Sequence, residues 1–345
     1  MKTRVGILGA TGYTGAELTR LLIGHPNVEI VWLTSEKFSG TKICEVFPQF
    51  DSFVDVKCSS ISKLKSLDNV DLAFGCLPAG KSMHFVERLI QKGTRVVDLS
   101  PDFRFSDCDE YRNLYKVEHS CKDLLQRAVY GVPEIYKGKI RDATLVANPG
   151  CYSISVLYGL APVMINGLLQ GGSIKIDSKA GLAGGGRAPV LDHHFSESNE
   201  TAVAFGIDGH DQKPEMEKQL SVLSGGAVRL IFVPHRIPVN RGILSTIYSE
   251  LRGPLDLERL WRLYCDYYAK SPFIRVCNLG KYPSLKSVRF TNFCDIGIGF
   301  QDEVCITVVA LDNLGKGAAG QAIQNMNIMF GFPEEQGLTI PCMYP

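Results

Sequence analysis

Val5-Gly6-Ile7-Leu8-Gly9-Ala10-Thr11-Gly12-Tyr13-Thr14-Gly15 opens the chain, and its reading decides the fold. Val5 to Leu8 is a short buried-strand pattern that runs straight into a G-x-x-G-x-x-G variant of the dinucleotide fingerprint. Thr14, with Glu17 three residues on, predicts a capping box. Leu18, Leu21 and Leu22 share a helical face, and Gly24-His25-Pro26 ends the helix. Val28 to Leu33 supplies a second strand and completes a βαβ opening. Glycines in the turn let backbone approach a pyrophosphate seated on the helix N-terminus, so Gly9, Thr11, Gly12, Tyr13, Thr14 and Gly15 are the candidate cofactor contacts. The bland alternative is a tight turn that binds nothing; the strand, turn and helix around it favour a nucleotide.

Strand two closes in Thr34-Ser35-Glu36-Lys37. Ser35 and Lys37 could hold a 2′-phosphate, whereas Glu36 could bind a free 2′-hydroxyl and repel the phosphate, so NADP and NAD both stay open. Further strands are expected at Asp71 to Cys76, leading into Leu77-Pro78-Ala79-Gly80, and at Arg95 to Leu99, leading into Ser100-Pro101-Asp102-Phe103-Arg104. Open α/β sheets place ligands at such strand ends, which brings Pro78 into the cofactor set.

A chain of 345 residues is long for one hydrophobic core, so two domains are expected. With 45% hydrophobic and 21% charged residues it reads as an ordinary globular protein. Its 37 basic and 36 acidic residues leave a formal charge of +1, no footprint for nucleic acid or an anionic membrane, and the expected partners are small molecules. Eleven cysteines, an odd number with no C-x-x-C spacing, argue against a disulfide scaffold, a zinc ribbon or a dithiol motif. Free thiols, a reducing, cytoplasmic setting and no metal follow as expectations. The N-terminal Met1-Lys2-Thr3-Arg4 and the apolar stretch after it superficially resemble a signal peptide, but that stretch breaks at once into glycines. No apolar run approaches the ~20 residues of a membrane span.

Near the middle, Asn148-Pro149-Gly150-Cys151-Tyr152 precedes the helix-compatible run Ile154 to Leu160 and places Cys151 at a helix N-terminus. Backbone N–H groups and the helix dipole there favour a thiolate and can hold the oxyanion formed when sulfur attacks a carbonyl. The alternative is a small apolar filler at a turn. A cysteine nucleophile paired with a nicotinamide cofactor points to acyl-phosphate chemistry: phosphate is expelled, a thioester remains, and hydride reduces it to an aldehyde. Among His119, His193, His194, His210 and His235, the most suggestive acid/base is His210, in a polar loop before a helix begun by Pro214 and Glu215. Arg104, Arg187 and Arg241 could hold a carboxylate or phosphate, or be solvated surface residues.

Beyond residue 150 the pattern changes. Ser173 to Lys179, Val228 to Val233, Ile243 to Leu251, Ser287 to Phe293 and Val304 to Leu311 read as strands, and Lys213 to Leu223 and Asp256 to Lys270 as helices. The Leu260, Trp261, Tyr264 and Tyr268 stripe is core packing. Asn313 to Met329 reads as a small-residue helix that returns to the nucleotide domain. The expected fold class is α/β: a Rossmann-like doubly wound nucleotide domain plus an α+β substrate domain with a mixed sheet.

Together these residues resemble the N-acetyl-gamma-glutamyl-phosphate reductases of arginine biosynthesis, in the semialdehyde dehydrogenase superfamily. The likeness runs through Gly9 to Leu18, Val97-Asp98-Leu99-Ser100 with Asp102-Phe103-Arg104, Tyr130-Gly131-Val132-Pro133-Glu134 and Asn148 to Tyr152. It continues through His194-Phe195-Ser196-Glu197, Pro214-Glu215, Arg241-Gly242-Ile243 and Asp312-Asn313-Leu314 with Lys316 to Ala322. The resemblance implies residues 1–150 plus 313–345 as the nucleotide domain and 151–312 as the substrate and oligomerisation domain. It implies NADPH as reductant, Asn313 as a further cofactor contact and Cys151 as the thioester-forming nucleophile with His210 beside it. Arg104, Asn148, Arg187, Glu197 and Glu215 become substrate contacts, in a homodimer or homotetramer that takes an acyl phosphate and releases phosphate. Three positions depart from the family pattern: Ser153-Ile154 stands where Pro-Thr is usual, His210-Asp211-Gln212 where His-Arg-His is usual, and Glu36 where an arginine is common. Rival readings are a reductase of aspartyl or carrier-linked aminoadipyl phosphate, and a non-catalytic nucleotide sensor.

Overall fold

The computed structural model describes residues 1–66, 68–170, 174–253 and 255–343. The chain divides into two compact units: Met1–Pro149 with Ala318–Thr339, and Gly150–Gly317, which the last residues from Ile340 join.

The first unit is built on β1 (Thr3–Leu8), β2 (Val28–Thr34), β3 (Cys58–Ser59), β4 (Leu72–Gly75), β5 (Arg95–Asp98), β6 (Val129–Tyr130) and β7 (Leu145–Ala147). These form one parallel sheet in the order β3-β2-β1-β4-β5-β7-β6. Val5, Ile7 and Leu8 are wholly buried, as a parallel strand covered on both faces requires. The register Val5↔Leu72 to Leu8↔Gly75 brings the ends of β1 and β4 level. Because β2 and β4 flank β1 on opposite sides, the strand order reverses there, and doubly wound sheets bind ligands outside the carboxyl ends at that point.

The helix after β1 is Tyr13–Ile23 with Gly12 as its N-cap, so the capping box expected from Thr14 and Glu17 does not form. Gly12 N–H closes the turn on Gly9 O at 3.2 Å, and Gly15 lies so flat on the loop that a Cβ would come within 2.5 Å of Gly9 O. That packing starts the helix earlier, and Glu17 forks with Arg20 at 3.0 and 2.8 Å instead.

The second unit carries β8 (Ile174–Ala180), β9 (Val203–Ala204), β10 (Leu230–Arg236), β11 (Ile243–Glu250), β12 (Ile274–Val276), β13 (Cys294–Gln301) and β14 (Val304–Leu311), in the order β12-β13-β14-β11-β8-β10-β9. The sheet is mixed: β8 with β10 and β12 with β13 are parallel, the other pairs antiparallel. The α/β class with its second, mixed sheet is thus as the sequence predicts. Helix Cys151–Ile165 is buried along nearly its whole length, and Gly159 lets it press on the sheet, where a Cβ would sit 2.6 Å from Ile247 Cδ1. Tyr264 and Tyr268, from helix Leu257–Tyr268, donate to the carbonyls of Gly159 and Tyr158, both at 2.6 Å. Leu260, Tyr264 and Tyr268 of the expected stripe are core, whereas Trp261 is half-buried.

One expected strand is wrong and one expected helix opens differently. Ser287 to Phe293 is not a strand: Leu285–Ser287 is a 3-10 turn, Phe290 has φ 63°, and the strand is Cys294–Gln301. Gly297 and Gly299 disguise it: a Cβ at Gly297 would lie 2.9 Å from Pro283 Cδ and 3.0 Å from Lys281 O, and one at Gly299 would lie 2.5 Å from the Tyr282 hydroxyl oxygen. Asn313 to Met329 is helical from Gly315 on, but it opens as a π turn, Gly315–Ala319, before the α-helix Gly320–Met329. Asp312 Oδ1 accepts from Leu314 and Gly315 N–H at 2.9 Å each and winds the turn differently. Val228 to Val233 is displaced toward its C-terminal side, to Leu230–Arg236. Ser173, the expected first residue of β8, lies outside the described residues.

Candidate active site

At the carboxyl ends of β1 and β2, Gly9 has φ 76°, its N–H meets Thr34 Oγ1 at 3.1 Å, and a Cβ there would sit 2.4 Å from Cys76 O beyond β4. Glycine is therefore obligatory at the crossing. Gly12 is extended (φ −76°, ψ 166°), and no side-chain hydrogen bond caps the helix it opens. Thr11 Oγ1 pairs with Ser35 Oγ at 2.7 Å, tying the glycine turn to the end of β2. Tyr13 and Pro78 are exposed and Thr14 is half-buried. A backbone-lined helix N-terminus without a side-chain cap suits a pyrophosphate, so the residues present fit a dinucleotide.

Ser35 is buried and accepts from Phe38 N–H at 3.3 Å, and Lys37 is exposed with its ammonium 5.4 Å from the Phe38 ring centre. Glu36 turns elsewhere. Its carboxylate accepts from Ser60 Oγ at 3.0 and 3.2 Å and from Ile61 N–H at 2.7 Å, at the start of the turn Ile61–Ser66.

Near the ends of β5 and β7 the first unit is tightly bonded. Asp98, wholly buried, accepts from Ser82 and Ser100 hydroxyls at 2.5 Å, and burial pushes its carboxyl up to about 7 despite those donors. Arg104 donates to Asn148 O at 2.9 Å and Leu99 O at 2.7 Å. Asn148 donates from Nδ2 to Ala318 O at 3.3 Å and accepts from Asn325 Nδ2 at 3.1 Å. These two expected substrate contacts thus bind backbone and side chains of their own unit.

In the second unit, Cys151 is the first residue of its helix, after the extended Gly150. All eleven cysteines are outside disulfides. Gly317, in the π turn, faces it: a Cβ at Gly317 would lie 3.0 Å from Cys151 Cβ. Asp312, wholly buried, holds that turn while pairing with Arg241 at 2.8 Å, so the Arg241 charge faces Asp312 in the interior. Lys316, also wholly buried, lies over the Tyr158 and Phe273 rings at 5.1 and 5.5 Å. Asn313 accepts from Gly242 N–H through Oδ1 at 2.7 Å, while its buried Nδ2 has no hydrogen-bond partner among the described residues.

His210 packs edge-on against Tyr152, the residue after Cys151, with ring centres 5.3 Å apart, and against Phe232 at 5.4 Å. Its Nδ1 meets the Gln212 N–H at 3.2 Å and lies 3.2 Å from Asp211 Oδ1. Burial lowers its pKa below 6.5, opposed by Asp211 and Glu215. Glu215 is buried and accepts from Gly150 N–H at 2.9 Å. The structure therefore brings His210 and Glu215 to the start of the Cys151 helix. Arg187 and Glu197 are exposed on the segment after β8; Glu197 lines a cavity of about 260 Å³ with Asp192, Ser198 and Arg236. Of the other histidines, His119 is buried in the first unit against Asp102 O. Sequence reasoning missed the engagement of Gln212, Asp312 and Gly317 with the Cys151 helix and the turn beside it. The one available signal was Gly150, which has no side chain with which to cap.

A family model described as semialdehyde dehydrogenase, NAD binding domain, matches residues 4–143, and one described as semialdehyde dehydrogenase, dimerisation domain, matches residues 151–313. The N-acetyl-gamma-glutamyl-phosphate reductase of Pelotomaculum thermopropionicum is 44% identical over 347 aligned residues, covering 100% of both chains. The chain belongs to the N-acetyl-gamma-glutamyl-phosphate reductase family. The reductase of that name from Desulforudis audaxviator is likewise 44% identical, over 99% of each chain. Among solved structures, aspartate semialdehyde dehydrogenase II from Vibrio cholerae matches with a TM-score of 0.73 at 18% identity, covering 96% of this chain and 99% of that one. The Candida albicans aspartate semialdehyde dehydrogenase with NADP gives 0.66 at 17% identity, with coverage of 96% and 99%. The fold of this reductase-family member is therefore that of the semialdehyde dehydrogenases. Among the described residues no helix is long and apolar enough to cross a membrane, and no cluster of side chains is arranged to hold a metal ion.

Proposed function

We propose that this chain reduces N-acetyl-L-glutamyl 5-phosphate with NADPH to N-acetyl-L-glutamate 5-semialdehyde and phosphate, with Cys151 as nucleophile and His210 as acid/base. The observation that carries the reading is the setting of Cys151: first residue of a buried helix, with the His210 imidazole packed on its neighbour and its pKa lowered by burial, in a chain of this family. His210 takes the thiol proton, the sulfur bonds to the acyl carbon, and collapse of the tetrahedral adduct breaks the carbon–oxygen bond to phosphate. Phosphate leaves and a thioester remains on Cys151. Held by the glycine turn Gly9–Gly15, NADPH would supply the hydride for reduction of the thioester. His210, now protonated, can return its proton as the sulfur departs and the aldehyde forms.

Gly9, Thr11, Gly12, Tyr13, Thr14 and Gly15 are the proposed pyrophosphate contacts, Ser35 and Lys37 the proposed 2′-phosphate contacts, and Pro78 and Asn313 complete the set. The unpartnered Asn313 Nδ2 supports its inclusion, because a buried donor without a partner is costly unless a ligand takes it. Arg187 and Arg104 are the proposed anion contacts, with Glu197, Glu215 and Asn148 shaping the substrate's surroundings. In this reading the first unit, with the returning C-terminal helix, serves the nucleotide and the second the substrate. A homodimer or homotetramer is inferred too, supported by the dimerisation description of the family model and the exposed Leu191, Phe195 and Ile207. The proposed compartment is the cytoplasm, in keeping with eleven cysteines that lie outside disulfides.

The test is trapping. Enzyme mixed with the acyl phosphate and no cofactor should release phosphate and carry an N-acetylglutamyl adduct on the Cys151 peptide. An adduct elsewhere, or no phosphate release, would overturn the assignment.

A further inference from the structure

We infer that Gln212 is a positioning residue for Cys151, supplying from a separate helix the N-terminal cap that the Cys151 helix lacks. The inference rests on Cys151 being the nucleophile. Gly150 holds the N-cap position, extended at φ −69° and ψ 149°, and offers no side-chain cap. Gln212 Oε1 accepts from Tyr152 N–H at 3.0 Å and from Ser153 N–H at 3.3 Å, the groups an N-cap side chain would take. A Cβ on Gly150 would lie 2.3 Å from Gln212 Cδ and Oε1, so the carboxamide stands where a capping side chain would begin. Glu215, one turn further along the same helix, takes Gly150 N–H at 2.9 Å. Together Gln212 and Glu215 reproduce both halves of a capping box, each from outside the helix it caps.

Two departures from the family pattern become one feature. A proline at position 153 has no N–H to give, whereas Ser153 gives its N–H to Gln212. The first-turn amides of Tyr152 and Ser153 are therefore engaged by a neutral oxygen. Position 212 sets how much of the helix's positive end the Cys151 sulfur feels, and fixes the turn that carries it.

The test uses the full-length protein with Gln212→Glu, Gln212→Ala, Ser153→Pro and the double variant Ser153→Pro/Gln212→Ala. Alkylation of Cys151 by iodoacetamide is followed by peptide mass against pH, with the other ten cysteines as internal references. Tyr152, which faces Cys151 and Arg236, and His210 on its ring, with Asp211 and Glu215 beside His210, are common to every variant. Gln212→Glu keeps the acceptor but adds a negative charge, and should move the midpoint up by about one unit, slowing alkylation roughly tenfold at neutral pH. Gln212→Ala frees the amides and should move it down, with kcat falling more than KM changes; in the Ser153→Pro background that shift should shrink. A midpoint that ignores the Glu variant, or strictly additive effects in the double variant, would overturn the inference. The Glu variant keeps the cap, so it is informative even where Ala does not fold. If alkylating Cys151 leaves turnover intact, the nucleophile reading fails; if turnover is lost but the midpoint ignores residue 212, only this inference fails.

Discussion

Asp312→Asn is the substitution through which the interior of the second unit most directly reaches the nucleophile. Asp312 is wholly buried, its Oδ1 accepts from Arg241 Nε and Nη2 at 3.1 and 2.8 Å and from Leu314 and Gly315 N–H at 2.9 Å, and Oδ2 accepts from Phe290 N–H at 2.5 Å. Every group aimed at the carboxylate is a donor, so an amide nitrogen on either side must face one. Breaking a buried ion pair costs about 3–5 kcal/mol, and an orphaned buried N–H adds about 1–3, so a loss of about 4–8 kcal/mol is expected. At roughly 2–4 °C per kcal/mol for a domain of this size, the melting temperature should fall by at least about 8 °C. Because Gly317 N–H also bonds Asp312 O at 2.8 Å and Gly317 rests on Cys151, turnover should fall even where the variant is folded. Calorimetry and a reductase assay on the same preparation measure both. Asp312→Asn with Arg241→Met, which removes the buried charge, should recover part of the stability. A melting temperature within about 2 °C of the parent would refute the reasoning.

Asp98, raised to about 7 by burial, binds a proton in the folded state that the unfolded chain has lost above about 3.8, so its contribution to stability falls as pH rises through that window. On the order of 4 kcal/mol is at stake, and Asp98→Asn should flatten the melting-temperature profile between those limits relative to the parent; parallel profiles would contradict this. His210→Gln should lower kcat roughly a hundredfold or more and remove the acidic limb of the kcat/KM profile, which in the parent should lie below 6.5 because burial lowers the imidazole pKa. A retained acidic limb would show that another group is titrating. Glu36 is bonded to Ser60 and Ile61, so Glu36→Gln should change the NADPH-to-NADH affinity ratio by less than about threefold, under 1 kcal/mol, as read by cofactor fluorescence titration. A rise above about tenfold would place the carboxylate at the 2′ position.

How far the sequence reached differs between the two units. In the first, Val5 to Gly15 carries its own punctuation, because a buried parallel strand and a close-approach glycine turn are local features with local residue preferences. In the second, β13 was hidden because Gly297 and Gly299 read as loop residues until Lys281, Tyr282 and Pro283 are seen lying on them. The π turn was hidden likewise: Gly315 and Gly317 look like helix spacers, but their lack of a Cβ answers to Thr291 O and Cys151. Cys151 and His210 were visible as chemistry placed by a motif. The role of Gln212 was not, since its meaning lies in a bond from one helix to amides of another some sixty residues earlier in the chain. Glu36 was legible as a charge near the cofactor, but its direction depends on Ser60 and Ile61, whose return to β2 only tertiary structure sets.

The central claim is that Cys151 carries an acyl group between phosphate and hydride. The most direct measurement runs the reaction in reverse: N-acetylglutamate semialdehyde, phosphate and NADP⁺ or NAD⁺ with parent protein and Cys151→Ser, following nicotinamide reduction. The account predicts phosphate-dependent reduction, faster with NADP⁺, that the serine variant abolishes while still binding NADP⁺. Reduction that survives in Cys151→Ser, or that needs no phosphate, would contradict it.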